Sequence, residues 1–366
     1  MFDLILGCGQ GGSRLAKEIS KVFNVAGRYI NLADIDYTSF DVPEKHKLVV
    51  DGNGTGRDAE VGEKITLKNF EVIKIFIESA IYQHDVGKLC MCVGGGGGSG
   101  TGMMLYLIEW LLDFKYIDIL LLYTLPRKSE GLPARPQALF YLNKVIKNYM
   151  SGTKQVAPVI IDNEYVSKIF TDKFNIDFEY WVSINRGIAN TLKTFYSLTQ
   201  VDTVKHIDTA SGFGALDYNE LLRVLFFKDG FVDFRGFEIE YPDDTNLKAL
   251  IRKSSLIFKG LDLRTCKAGI VAVAMPDNWK GHKETNEFVD AVFTAVSKFI
   301  GAAYILRSSF YSKHMNRCRV LCLFSGLTRG NGLDKIISET AKETEKFSSK
   351  DKNFYFDISE IKKLKK

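Results

Sequence analysis

Between an apolar run, KLCMCV (88–93), and a stretch of helical period, MMLYLIEWLLDF (103–114), stand nine residues of which seven are glycine: GGGGGSGTG (94–102). Glycine gives up more backbone entropy on folding than any other residue, so a run of it makes folding harder. A flexible linker is the bland reading of a glycine tract. A linker, however, would not be pinned between an apolar strand and an amphipathic helix. In parallel sheets, a glycine turn at the carboxyl end of a strand opens a helix. The helix's free N–H groups can face a phosphate, and the missing Cβ lets the backbone come close.

The N-terminal half supplies such a sheet. Strands are predicted at DLILG (3–7), RYINLA (28–33), KLVV (47–50), KLCMCV, IDILLLYTL (117–125) and VAPVII (156–161). Between them, SRLAKEISKVF (13–23), LKNFEVIKIFIESAIYQ (67–83), MMLYLIEWLLDF and PQALFYLNKVIKNYM (136–150) have helical spacing. This alternation predicts a parallel sheet covered on both faces. The pattern then changes. Residues 177–199 read as one long helix, with Trp181, Ile184, Ile188, Leu192, Phe195 and Leu198 at 3-4 spacing. Its length of about 33 Å would cross a domain. Beyond it, a short helix (217–226), GIVAVAMP (269–276), a helix (284–300), YILRSSFYS (304–312) and RCRVLCLFSGL (317–327) predict a smaller α/β unit. The expected division is 1–176, a central helix at 177–200, a second domain at 201–330, and a C-terminal helix with a lysine-bearing tail at 331–366.

Composition narrows the class. The 366 residues are 46% hydrophobic, enough for a large core, and the net charge is only +5. That charge is too weak for a direct nucleic-acid binder. No apolar run reaches the roughly 18 residues of a membrane span. The N-terminus, MFDLILGCGQ, lacks the basic segment of a signal peptide. Cysteines 8, 90, 92, 266, 318 and 322 form no C-x-x-C pair and read as small buried hydrophobes. A soluble, reducing, cytoplasmic setting is expected, without membrane or nucleic-acid contact.

The glycine turn after the strand is repeated. GCGQGG (7–12) follows the first strand and GNGTG (52–56) the third. GCGQGG fits G-x-G-x-x-G, and Asp34 or Asp36 stands just past the second strand, so an NAD(P)-dependent oxidoreductase is one reading. Three phosphate-type turns along one sheet edge exceed what a single pyrophosphate requires and suit a triphosphate. None is a Walker A loop, because no lysine follows the glycines. The negative charge would be met by backbone N–H groups, helix dipoles and a bound metal ion.

The combination resembles the tubulin/FtsZ superfamily of GTPases. GGGGGSGTG is similar to that family's G-G-G-T-G-[ST]-G signature, and the resemblance runs in motif order over most of residues 1–330. GCGQGG resembles the first phosphate loop, GTGRDAEVGEK (54–64) the third, TLPRKSEG (124–131) the ribose-side loop, and IDNEY (161–165) the loop before the core helix. The resemblance implies GTP or GDP, with Mg²⁺, bound by Gly9, Gln10, Gly11, Gly12, Asp34, Gly54, Thr55, Gly56 and Arg57. Gly95, Gly96, Gly97, Gly98, Ser99, Gly100, Thr101 and Gly102 would continue the phosphate site. Thr124, Pro126 and Glu130 would lie by the ribose, and Asn163 by the sugar or base. Trp181 would lie under the guanine and Asn185 would read its edge. Phe174 or Phe178 with a nearby acid is a second alignment.

The family completes its site with an acidic loop from the next subunit, N-x-D-x-x-[DE]. Here GALDYNELLRVL (214–225) offers Asp217 and Glu220, with Ala215 where the asparagine would stand. Helix capping is the structural alternative for these acids. The resemblance implies a head-to-tail filament in which Asp217 and Glu220 activate water in trans. The extended glycine run, the long central helix and the basic end of FYFDISEIKKLKK (354–366) are most similar to the TubZ group of plasmid and phage tubulins. That similarity implies DNA segregation in a bacterial cell, with the tail docking a DNA-bound adaptor. An FtsZ-like division GTPase and a non-hydrolysing GTP-binding filament are the alternatives.

Overall fold

A computed structural model describes residues 1–131, 133–151, 154–171, 180–200, 216–240, 246–298, 300, 304–312 and 315–348. The chain divides into two compact units, one of residues 1–190 and 332–366 and the other of 191–331. Phe174, Phe178 and the tail segment 354–366 lie outside the described residues.

The first unit is built on six strands: β1 (Leu4–Cys8), β2 (Gly27–Asn31), β3 (Lys47–Val49), β4 (Lys88–Gly94), β5 (Asp118–Leu125) and β6 (Ala157–Asp162). Their order is β3-β2-β1-β4-β5-β6, and every pairing is parallel. Strands covered on both faces must be apolar throughout, and the central ones are: every residue of β1, and Leu89–Val93 of β4, is buried. The register lines up the carboxyl ends. Cys8 pairs with both Ile30 and Val93, Gly94 with Thr124, and Leu125 with Asp162. The order reverses between β1 and β4, and that switch point is where open α/β sheets bind ligands.

Helices α1 (Gly9–Phe23), α2 (Ala59–Lys68), α3 (Phe70–His84), α4 (Gly98–Leu111), α5 (Ala134–Tyr149) and α6 (Asn163–Thr171) complete the alternation. Four of them depart from the sequence reading: α6 begins inside the stretch read as a loop (161–165), α4 starts at Gly98 rather than at Met103, and α2 and α1 differ as follows. The stretch predicted as one helix over 67–83 is preceded by a separate helix, α2, capped by the Asp58 carboxylate, which accepts from the Glu60 and Val61 N–H groups. Its glycine and its charged side chains hid it. α1 starts at Gly9 rather than near Ser13, so Gly9–Gly12 form its first turn.

Helix α7 (Tyr180–Ser197) is described from Tyr180 onward, and the boundary between the units falls within it. Its predicted stripe is buried at Ile184, Ile188, Leu192, Phe195 and Leu198, whereas Trp181 is half-buried.

The second unit holds α8 (Tyr218–Leu225), β7 (Phe231–Ile239), α9 (Leu247–Lys253), β8 (Leu261–Asp262), β9 (Ala268–Pro276), α10 (Lys283–Ser297), β10 (Tyr304–Ser312) and β11 (Cys318–Arg329). Its sheet is mixed, in the order β10-β9-β11-β7, with β9 and β10 parallel and β11 antiparallel to both its neighbours. β7 was absent from the sequence reading because FVDFRGFEI carries charges at positions that prove to be core. Asp233 and Arg235 are buried and 2.7 Å apart. Ser255 donates to Asp233, and Arg235 donates to the carbonyls of Ile251 and Arg252. Burial outweighs the pairing and raises the Asp233 carboxyl above its usual range. The last helix, α11 (Asn331–Ser348), belongs from Gly332 on to the first unit, where Glu339 pairs with Lys128 at 2.7 Å.

Because the Asp233–Arg235 pair is desolvated, breaking it strands a charge. Asp233→Ala is expected to destabilise the second unit by about 3–5 kcal/mol in urea unfolding. A loss below about 1 kcal/mol, typical of a surface pair, would contradict this account of β7.

Candidate functional site

The switch point brings two helix N-termini side by side. β1 runs into α1 at Gly9, and β4 runs through Gly95–Gly97 into α4 at Gly98. The approach is backbone to backbone. A Cβ on Gly9, whose φ is +70°, would stand 2.6 Å from the Gly100 nitrogen. One on Gly100 would strike the Cys8 carbonyl, and one on Gly12 the Cys92 carbonyl. Each helix end carries roughly half a positive charge and N–H groups without intrahelical acceptors. Two such ends at one spot make an anion site.

The glycine run has two uses. Most of its members let protein pack on protein. Cβ atoms on Gly95, Gly98 and Gly102 would strike Thr124, Thr55 and Ala59, and the Gly95 N–H already donates to the Thr124 carbonyl at 2.9 Å. Gly96 has φ +81° and would put a Cβ 2.5 Å from the Ala134 carbonyl. Gly97 and Gly11 differ. Nothing approaches a Cβ on Gly97 closer than 3.8 Å, or one on Gly11 closer than 3.6 Å. These two glycines line an open cradle that a methyl group would begin to fill.

The other predicted residues, those on α7 apart, lie on the turns and helix starts that follow the strands. Gln10 donates to Asp36 at 2.9 Å, and Asp36 also accepts from Asn31 at 2.7 Å. The Asp34 N–H donates to the Gly52 carbonyl, and Gly54 donates to Leu32. Thr55 lies against Gly98, next to Gly56. Arg57 has φ +68° and reaches the Glu130 carbonyl at 3.4 Å. Ser99 and Thr101 are buried in the first turn of α4, where the Thr101 hydroxyl donates to the Gly94 carbonyl. Thr124 ends β5, Pro126 abuts Gly96, and the Glu130 carboxylate accepts from the Arg127 N–H at 2.7 Å. Asn163 begins α6 directly after Asp162. Trp181 and Asn185 are one turn apart on α7, both half-buried.

Asp217 and Glu220 belong to the second unit. They form a reciprocal cap on α8: the Glu220 N–H donates to Asp217 at 2.8 Å, and the Asp217 N–H donates to Glu220 at 3.0 Å. The capping alternative is therefore realised in the geometry.

Two supporting residues carried no signal in the sequence. The buried Arg135 donates to the Pro126 carbonyl at 2.9 Å and lies 3.8 Å from Asp162. Burial raises the Asp162 carboxyl, against the opposing pull of Arg135. Gln137, also buried, bonds the backbone of two of the glycine turns. Both sit in the first turns of a helix that reads, from sequence, as ordinary. Among the described residues no three metal-ligating side chains cluster. A cation here would be held mainly through phosphate oxygens and water, which suits Mg²⁺.

No protein-family model and no curated protein matches the sequence. Solved structures do match its fold. CetZ2 of Haloferax volcanii, a GTPγS-bound protofilament, is 18% identical at a TM-score of 0.71, covering 95% of this chain and 100% of its own. TubZ of Bacillus thuringiensis serovar israelensis, a GTPγS-form protofilament, is 16% identical at 0.75, covering 95% and 94%. CetZ1 of Haloferax volcanii, a GDP-bound monomer, is 17% identical at 0.68, covering 94% and 99%. The fold is the tubulin/FtsZ fold. The tubulin-like architecture expected from the glycine turns is present over nearly the full length of the chain.

The two kinds of glycine respond differently to a methyl group. Gly96→Ala is expected to lower the nucleotide-free melting temperature by at least about 2 °C, since φ > 0 and a backbone clash together cost roughly 1 kcal/mol or more. Gly97→Ala, at φ −87° in open space, should melt within about 1 °C of the parent. Equal losses from both would contradict the division of the run into packing and cradle glycines.

Proposed function

We propose that this chain binds GTP across the β1/β4 switch point, hydrolyses it and assembles head to tail into filaments. The observation that carries the reading is the pair of glycine-opened helix N-termini meeting over an open cradle. The solved protofilaments of like fold, with GTPγS bound, support it. α1 and α4 would hold the phosphates with Gly54–Arg57. Thr124, Pro126 and Glu130 would meet the ribose, and Asn163 the sugar or base. Trp181 would stack on the guanine, with Asn185 one turn on to read its edge. Mg²⁺, when bound, would neutralise charge on the phosphates.

Phosphoryl transfer to water needs positioning and charge stabilisation more than covalent chemistry. Asp217 and Glu220 would supply the positioning from the next subunit, one carboxylate accepting a proton from the attacking water. A site completed in trans makes hydrolysis depend on assembly, and a head-to-tail contact builds an open filament. We assign the filament to plasmid or phage DNA segregation in the bacterial cytoplasm. The tail at 354–366 would dock a DNA-bound adaptor. A second reading, a filament that binds GTP without hydrolysing it, has one observation in its favour: the two acids already serve each other as a helix cap.

One substitution separates these readings. Asparagine caps a helix about as well as aspartate. Asp217→Asn should therefore keep GTP binding and pelleting while lowering phosphate release at least tenfold, a loss of about 1.4 kcal/mol or more in transition-state stabilisation. Wild-type turnover per chain should also rise with protein concentration. Unchanged turnover in Asp217→Asn would leave the acids as a cap alone.

A further inference from the structure

The three glycine turns contain one cationic side chain between them. In residues 7–12, 52–58 and 94–102 only Arg57 carries a positive charge. It is exposed, and its backbone sits at φ +68°, a left-handed conformation that a residue with a Cβ disfavours. Something must hold it there.

The holding group is Gln137, on α5. Its side chain is buried, with 7% exposure, and every polar atom of the amide is used. Nε2 donates to the Arg57 carbonyl at 3.1 Å and to the Gly97 carbonyl at 3.3 Å. Oε1 accepts from the Ala59 N–H at 3.0 Å. One amide thus grips the chain on both sides of Asp58 and ties it to the turn that opens α4. The helix behind it is anchored in turn. Arg135, two residues before, donates to Pro126, and Tyr141, one turn later, donates to Glu63 on α2 at 2.6 Å. The support is directional as well as strong, because an unpaired buried amide is costly in any other arrangement.

We propose that Gln137 is a positioning residue for the polyphosphate. It holds Arg57 in its left-handed conformation and fixes the Arg57 loop to the Gly97 turn, so that the guanidinium, which rests on the Glu130 carbonyl at 3.4 Å, can turn to the phosphates when nucleotide arrives. The inference rests on the nucleotide reading of the site. It adds the residue that positions the one cationic side chain of the glycine turns. Gln137 touches no substrate, and the part of its effect that runs through the guanidinium must vanish when Arg57 is replaced.

A double-mutant cycle tests this, read as GTPγS affinity by titration calorimetry. The chains are wild type, Gln137→Met, Arg57→Ala and the double variant. Nucleotide-free melting and circular dichroism check the fold. Each single substitution should weaken binding about tenfold, and the double should fall within about twofold of Arg57→Ala, because residues acting through one another are not additive. Gln137→Glu is the second variant. It keeps the volume and the bond from Ala59 but turns a carboxylate on two carbonyls, and it should lose affinity as Gln137→Met does. Multiplying losses, or a Gln137→Met affinity within twofold of wild type, overturns the proposal. So does unfolding of both Gln137 variants without nucleotide, which would make Gln137 a support for the fold alone. If wild type itself binds no GTPγS, the nucleotide reading fails first, and the two failures are told apart by that one titration.

Discussion

Two like dipoles pressed together at their positive ends are the constraint around which the first unit is arranged. α1 and α4 leave adjacent parallel strands, so both N-termini meet at the same edge. Their contact is closer than any side chain permits, as Gly9 and Gly100 show. Roughly half a unit of positive charge at each end repels the other, and the repulsion is greatest where the glycines have removed everything between them. An anion in the cradle relieves it. The fold builds an electrostatic debt into its switch point and leaves Gly11 and Gly97 open beside it.

That arrangement explains why a chain would carry so much glycine. The run at 94–102 is chiefly a device for nesting loops. Gly95 seats under Thr124, Gly98 under Thr55, Gly100 on Cys8 and Gly102 on α2. Gly97, with Gly11 from the neighbouring turn, is left with open space where a Cβ would stand. Close approach of backbone to backbone is what makes close approach of backbone to ligand possible. α5 supplies the scaffold behind these turns through Arg135, Gln137 and Tyr141.

The parallel sheet was legible in the sequence because buried parallel strands are apolar throughout, and DLILG and KLCMCV are short apolar runs that stop at glycine. The glycine turns were legible because their spacing from those strands is fixed. β7 was not, since Asp233 and Arg235 are polar residues in a core position, made tolerable by each other and by Ser255. α2 was hidden by its own glycine and charges, and by the phosphate-loop motif that runs into it. Gln137 could not be found from the sequence at all. Its role lies in three backbone partners far away along the chain, which no local pattern records. The acids Asp217 and Glu220 were found, and their mutual cap gives them a structural task alongside the proposed catalytic one.

The central claim is that the paired helix ends hold the phosphates of a guanine nucleotide. The same edge, with GCGQGG and Asp34 or Asp36, could be read as a dinucleotide site, so the decisive measurement is calorimetric titration of the wild-type chain with GTPγS, with and without excess NADH. The account predicts saturable binding of one GTPγS per chain, unchanged by NADH. Absence of GTPγS binding, or its displacement by NADH, would contradict it.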